Sequence, residues 1–296
     1  MTRLLNVASA CLMSVALALA LPAAAKPYTV PNTEVIALRS KQTGANYQLF
    51  VALPSDYRTS KKTYPVVYML DADYSFALVR NVVQHFAERE NLPPMILVAI
   101  AYPGAASDRS VYRMNRTRDY TPAHAPDGGY GAEYQRVSGG GPKFRAFIAR
   151  ELVPLIERHY RADPIDRTIV GHSYGGLFGT YVLLTQPELF RRYILISPSL
   201  WYSNRIALTM EEAAAASGIK PDARVFFAVG SRENQPANNR AMVDDLTELV
   251  DKLRSRNNPR LTLRYKIYDG ETHNSVFPGA VTRGLLTVFG DGTPAQ

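Results

Sequence analysis

Apolar positions along the chain fall into short blocks that switch between two periods. "EVIALRS" (34–40) and "YQLFVAL" (47–53) predict two strands joined by a turn at Gly44-Ala45-Asn46. "YPVVYML" (64–70) and "MILVAIAY" (95–102) are continuous apolar runs, as strands buried on both faces require. A helical pattern, "SFALVRNVVQHFAEREN", lies between them. In "KFRAFIARELVPLIERHY" the 3.6-residue period puts Phe144, Phe147, Ile148, Leu152, Leu155 and Ile156 on one helical face, with a kink expected at Pro154. From there strands and helices alternate. "RTIVGH" precedes "GGLFGTYVLLT", and "RRYILISP" precedes a loop with Trp201 and the short helix "EEAAAASG". "RVFFAVG" precedes "NNRAMVDDLTELVDKLRSRN", and "LTLRYKIYDG" precedes "SVFPGAVTRGLLTVF".

Two strands followed by regular alternation predict an α/β fold: a mostly parallel central sheet of about eight strands, doubly wound, with helices on both faces. No repeat or linker divides residues 26–296, so one domain is expected. In such sheets the ligand site lies at the carboxyl ends of the strands. One segment breaks the pattern. Residues 103–142 are polar, rich in Arg, Tyr and Gly, and close with Gly139-Gly140-Gly141-Pro142. So long an aperiodic stretch inside a domain reads as a functional, lid-like insertion.

The first 25 residues stand apart. Arg3, the apolar run "LLNVASACLMSVALALALPAAA" and the small residues Ala23-Ala24-Ala25 predict a signal peptide cleaved before Lys26. That implies a periplasmic or secreted protein with no stable membrane insertion after cleavage. Cys11 is the single cysteine, so the mature chain has neither thiol nor disulfide. The formal charge of +8 becomes +7 once Arg3 leaves, and the basic residues are scattered. They read as a basic surface or as an attraction for acidic ligands. There is no nucleic-acid motif, and no His/Asp cluster with metal-ligand spacing, so neither metal nor cofactor is called for.

The chemistry begins at "TIVGHSYGG" (168–176), where Gly171-His172-Ser173-Tyr174-Gly175 matches G-x-S-x-G between a β run and a helix. The glycines let strand and helix approach closely, lifting the serine hydroxyl to the sheet top at a helix N-terminus. The plainer alternative is a tight turn whose serine only caps the helix. A serine needs a base, and of His85, His124, His159, His172 and His273 only His273, in "DGETHNS", follows both Ser173 and a plausible acid. The side chain of His172 should diverge from Ser173 in such a turn. Glu233 in "GSREN" lies at a strand's carboxyl end and suits the acid. Asp222 lies at the wrong edge, Asp244 and Asp245 on a helix, and Asp269 and Glu271 could reach His273 only through a tight local turn. An oxyanion hole would take the amide of Tyr174 and one from Asp71-Ala72-Asp73.

At these residues the chain resembles the Putative esterase family of α/β-hydrolases, in its enterochelin (siderophore) esterase branch. The ordered set "YMLDADYSF", "RTRDYTP", "IVGHSYGG", "SPSLWY", "GSREN" and "GETHNS" carries the resemblance over nearly all of the mature chain. It implies an α/β-hydrolase fold, a Ser173-His273-Glu233 triad, and oxyanion amides from Tyr174 and Asp73. Ala72 stands where the related pattern usually has glycine. The resemblance places Trp201 at the substrate, and Arg118 and Tyr120 at the entry to the lid, as substrate-binding residues. Read from the residues alone, Arg118 and Asp119 form an ion pair holding that loop. The function implied is a serine ester hydrolase acting through an acyl-enzyme on a small-molecule ester. A siderophore trilactone is one substrate, and the lid arginines Arg109, Arg113, Arg116, Arg118 and Arg136 would suit an anionic ferric catecholate. The alternatives are a general esterase on small acyl or acetyl-sugar esters, an acyltransferase, and a non-catalytic binding scaffold. Oligomeric state is left open.

Overall fold

Eight apolar blocks become the strands of one sheet in the computed structural model, which describes residues 27–89, 92–235 and 240–290. The leader expected over residues 1–25 lies outside the described residues. The sheet strands are β1 (Thr33–Arg39), β2 (Asn46–Ala52), β3 (Tyr64–Met69), β4 (Ile96–Ala101), β5 (Ala162–His172), β6 (Arg192–Ile196) and β7 (Ala223–Gly230). A two-residue ribbon follows, β8 (Asn234–Gln235) with β9 (Arg240–Ala241), and β10 (Leu261–Tyr268) completes the sheet. The order is β1-β2-β4-β3-β5-β6-β7-β10, and β2 alone runs antiparallel to both neighbours. The Gly44 turn joins β1 to β2 with a left-handed glycine (φ 72°).

The continuous apolar strands make sense because both sheet faces are covered. Along β3 and β4, Val66, Tyr68, Ile96, Val98 and Ile100 face one core, while Val67, Met69, Leu97 and Ala99 face the other. Helices α1 (Ala72–Arg89) and, at the chain's end, α9 (Val276–Phe289) cover the second face. The first face takes the rest: α2 (Arg109–Tyr120), α3 (Ala132–Gln135), α4 (Gly141–Phe147), α5 (Val153–His159), α6 (Tyr174–Thr185), α7 (Tyr202–Ala216) and α8 (Met242–Ser255). The expected kink at Pro154 is spread over a π-turn at Ile148–Leu152, where the Val153 amide bonds to the Ile148 carbonyl five residues back. This widened turn makes room for a proline ring inside an otherwise continuous helical run. Among the described residues no helix is long and apolar enough to cross a membrane.

The segment 103–142 differs from its expectation as an aperiodic loop. Its centre is α2, capped by Asp108, whose carboxylate accepts from the Ser110 amide at 2.7 Å. The buried face of α2 consists of Tyr112, Arg116, Thr117, Asp119 and Tyr120, which gives no apolar signal in the sequence. Its charged groups are satisfied by pairing, while the Thr117 hydroxyl is buried without a hydrogen-bond partner. Arg118 forks onto Asp119 at 2.7 and 2.8 Å, and the Tyr47 hydroxyl donates to the same carboxylate at 2.9 Å. Further along, Gly140 and Gly141 press against the carbonyls of Arg118 and Thr121 and donate their amides to them, both at 2.9 Å.

Candidate active site

Ser173 sits where β5 turns into α6, with φ 61° and ψ −118°, a backbone conformation that costs a non-glycine residue about 1–3 kcal/mol. The surroundings enforce it. The Ser173 amide donates to the Ile196 carbonyl at 3.0 Å, and the Ser173 carbonyl accepts from Ser199 at 3.1 Å. A Cβ on Gly171 would run into the Gly175 carbonyl, and one on Gly176 would meet Pro198. Tyr174 is the first residue of α6, so its amide has no acceptor within the helix and is open to a ligand. Gly175 packs against Leu70 and Asp71, which sets the start of α1 beside the start of α6. Asp71 is itself left-handed (φ 58°), and its amide is taken by the Tyr120 hydroxyl at 3.2 Å. In the Asp71–Asp73 turn this leaves the amides of Ala72 and Asp73, in the first turn of α1, without an acceptor inside the helix. Burial and then the charge of Asp71 raise the carboxyl pKa of Asp73.

The other two residues come from the ends of β7 and β10. Glu233, only 2% exposed, accepts from the Gly230 amide at 2.6 Å and the Ser197 hydroxyl at 2.7 Å through one oxygen. Its other oxygen meets His273 Nδ1 at 2.6 Å. The Arg232 amide donates to the Glu271 carbonyl at 3.0 Å and ties the two loops together. A carboxylate accepts only, so Nδ1 carries the proton and Nε2 is left as a base. Ser173 and His273 line one cavity; Ser173 Oγ lies 3.4 Å from Ser199 Oγ, and its bond to His273 is not formed in this state. Such contacts commonly tighten only when substrate is bound. The other candidate acids are engaged elsewhere: Asp222 with Arg191, Asp244 with Asn234, Asp245 with Arg205, Asp269 with Ser231 and Glu271 with Ser275.

The cavity holds about 780 Å³. Trp201 and Tyr130 stand on its wall, with Arg240 over the Trp201 ring at 4.6 Å and Arg113 over Tyr130 at 5.7 Å. Arg109 lines it too, over Tyr112 at 4.8 Å. Among the described residues none of Arg109, Arg113 and Arg240 is ion-paired with a carboxylate; Arg116 is. Its guanidinium forks onto Asp71 at 2.7 and 3.1 Å, donates to the Tyr130 hydroxyl at 2.8 Å and reaches the His172 carbonyl at 2.7 Å. The Tyr174 hydroxyl accepts from Gly129 at 2.8 Å and Gln135 at 3.2 Å, so the 103–142 segment is bolted to the elbow.

Two residues expected at the substrate are placed elsewhere. Arg118 and Tyr120 are not among the residues lining the cavity. Tyr120 is fully buried behind it and supports Asp71, while Arg118 is spent on Asp119 and Asn115. The i, i+4, i+7 spacing of Arg109, Arg113 and Arg116 on a helix would have picked out the cavity-facing set. The ring of His172 is engaged with groups other than Ser173: Nε2 meets the main-chain carbonyl of His273 at 2.8 Å.

Comparison with known proteins shows the family. The family model described as "Putative esterase" matches residues 40–286. The ferri-bacillibactin esterase BesA of Bacillus subtilis is 30% identical, over 87% of this chain and 90% of its own length. The siderophore enterobactin esterase of Emericella nidulans is 31% identical, over 88% and 95%. Among solved structures, the IroE-like serine hydrolase of Shewanella oneidensis superposes with a TM-score of 0.76 at 30% identity, covering 87% of this chain and 80% of that one. With a serine on a nucleophile elbow and a family match across most of its length, the chain belongs to the Putative esterase family and is a serine ester hydrolase of the α/β-hydrolase fold.

Proposed function

We propose that the protein hydrolyses siderophore esters through a Ser173-His273-Glu233 triad and an acyl-enzyme. The carrying observation is the 2.6 Å Glu233–His273 pair in one cavity with Ser173, beneath arginines that have no carboxylate partner among the described residues. Ser173 Oγ attacks the ester carbonyl as His273 Nε2 takes its proton. The amides of Tyr174 and of Asp73, at the starts of α6 and α1, hold the oxyanion. His273 then returns the proton to the leaving alcohol, and water activated by the same base frees the acid. Glu233 keeps the tautomer and stabilises the imidazolium. Arg109, Arg113 and Arg240, with Trp201 and Tyr130, suit an anionic aromatic ligand such as a ferric catecholate. The names of the two curated relatives, one acting on ferri-bacillibactin and one on enterobactin, support that substrate class. With the apolar leader at residues 1–25, we place the reaction in the periplasm or outside the cell.

The test is a side-by-side assay of wild type and Ser173→Ala on p-nitrophenyl esters and on apo and ferric enterobactin, read by chromatography. Wild type should cleave with a higher kcat/KM for the trilactone, and Ser173→Ala should lose about 10⁶-fold in kcat. Residual turnover by Ser173→Ala at the wild-type rate would sink the triad. A preference for the simple esters would sink the siderophore assignment while leaving the triad standing.

A further inference from the structure

We propose that His172 is a positioning residue for the reaction: its Nε2–H holds the main-chain carbonyl of His273 and so fixes the base relative to the nucleophile one residue away. The inference rests on the triad reading above.

The carbonyl of His273 can only accept, so the 2.8 Å contact requires the hydrogen on His172 Nε2. Nδ1 is then a lone pair, and the Tyr74 hydroxyl, 3.0 Å away, donates to it. Both ring nitrogens are therefore spent on directional partners, which shape-filling alone would not need. Tyr74 is itself held edge-on against Phe277, with ring centroids 5.3 Å apart. On the main-chain side, Arg116 grips the His172 carbonyl at 2.7 Å, and Asp71 grips Arg116. The imidazoles of His172 and His273 lie 4.7 Å apart, so a second positive charge there would oppose the imidazolium that forms during acylation. Burial first, then the charges of His273 and Arg116, hold the pKa of His172 well below the usual histidine range and keep it neutral.

Glu233 orients the His273 ring but has no bond to its backbone. His172 supplies that second constraint, and from the residue adjoining Ser173. The span from nucleophile to base then runs through one peptide and one hydrogen bond, rather than through the loops after β7 and β10. A displacement of about 1 Å between reacting groups costs on the order of 100-fold in rate.

Three variants at this position separate donor from shape. In His172→Gln the side-chain amide nitrogen falls where Nε2 was and can still donate. In His172→Asn it falls short, at the place of Nδ1, and His172→Leu has no donor. Steady-state kinetics on p-nitrophenyl acetate, labelling by a fluorophosphonate and thermal unfolding would be measured for each. The expected result is a fall in kcat of about 100-fold for Asn and Leu, with KM within threefold and labelling slowed in parallel. Gln should recover to within about tenfold of wild type. The Gln–Asn pair decides even if the Leu variant does not fold. Equal kcat for Gln and Asn, or a full rate for Asn, overturns the proposal. Ser173→Ala, run alongside, keeps the two readings apart: activity in Ser173→Ala breaks the triad, whereas its loss with undiminished His172→Asn breaks only this inference.

Discussion

The floor and the roof of the cavity are built on different principles. On the floor, Ser173, Glu233 and His273 stand at the ends of β5, β7 and β10, and their partners are neighbouring strand-end groups. The roof is α2 and the segment after it, where four arginines within ten positions divide into two kinds. Arg116 and Arg118 are committed to Asp71 and Asp119, carboxylates only 1% exposed, while Arg109 and Arg113 are exposed. The charge is the same and the environments are opposite. Arginines paired with buried carboxylates fasten a polar helix onto the core, and the exposed ones line the cavity. Residue type alone therefore says little about which arginine binds and which one holds.

The floor should respond in rate before it responds in stability. Glu233→Gln is expected to keep its oxygen toward Gly230 and Ser197 and turn its amide toward His273. The imidazole must then accept at Nδ1 and carry its proton on Nε2, where it cannot take one from Ser173. A loss of about 10⁴-fold in kcat with little change in KM is expected from steady-state kinetics. A loss under tenfold would show that Glu233 does not set the tautomer.

The roof bolt should respond in the opposite order. Arg116→Met leaves the Asp71 carboxylate buried without its cation, which costs about 3–5 kcal/mol and lowers Tm by on the order of 10 °C. Adding Asp71→Asn should return more than half of that loss, because the stranded charge is gone while the Tyr112 hydroxyl, 3.0 Å from Asp71 Oδ1, keeps an acceptor. An unchanged melting curve for Arg116→Met would mean that the segment stands without this bolt.

The arginines with no carboxylate partner among the described residues should barely touch stability. Arg113→Gln and Arg240→Gln are expected to shift Tm by less than about 2 °C. Each should raise KM for a ferric catecholate siderophore about tenfold at low salt, an effect that shrinks as salt rises, and leave KM for p-nitrophenyl acetate unchanged. Equal effects on both substrates would remove the charge-recognition role.

The same division explains how much could be read in advance. The sheet was readable because β3, β4 and β7 carry their burial as nearly uninterrupted apolar runs. Ser173, Glu233 and His273 were readable as candidates because each lies at a strand's carboxyl end and the chain order leaves one histidine after them. The roof was not. Helix α2 buries Tyr112, Arg116, Asp119 and Tyr120, so its helical period is written in residues that hydropathy scores as exposed. The partner of Arg116 is 45 residues away on a left-handed turn, and no local spacing announces it. Arg118 and Tyr120 were placed at the substrate by resemblance, whereas the reading from the residues alone, an Arg118–Asp119 ion pair holding the loop, is the one the fold shows.

His172 sits where floor meets roof, and pH gives the gentlest probe of that seam. In the unfolded chain its pKa is about 6.5. In the fold, burial, then His273 and Arg116, hold it well below that value. Below about pH 6.5 the unfolded state therefore binds a proton that the fold refuses, so stability is present above that pH and is lost as pH falls. His85, His124 and His159 are common to wild type and His172→Gln and make no contact with His172, so their contributions cancel in the difference; His273, 4.7 Å from the His172 ring, is read together with it as a coupled pair. Thermal unfolding from pH 7.5 to 5.0 should show Tm of wild type falling more steeply than that of His172→Gln. Parallel slopes would mean that His172 takes up its proton in the fold as readily as in the unfolded chain. The Tyr74 hydroxyl would then turn toward Asp71 Oδ2, 3.3 Å away, and the seam would be a charged relay from Asp71 to His172 instead of a neutral clamp.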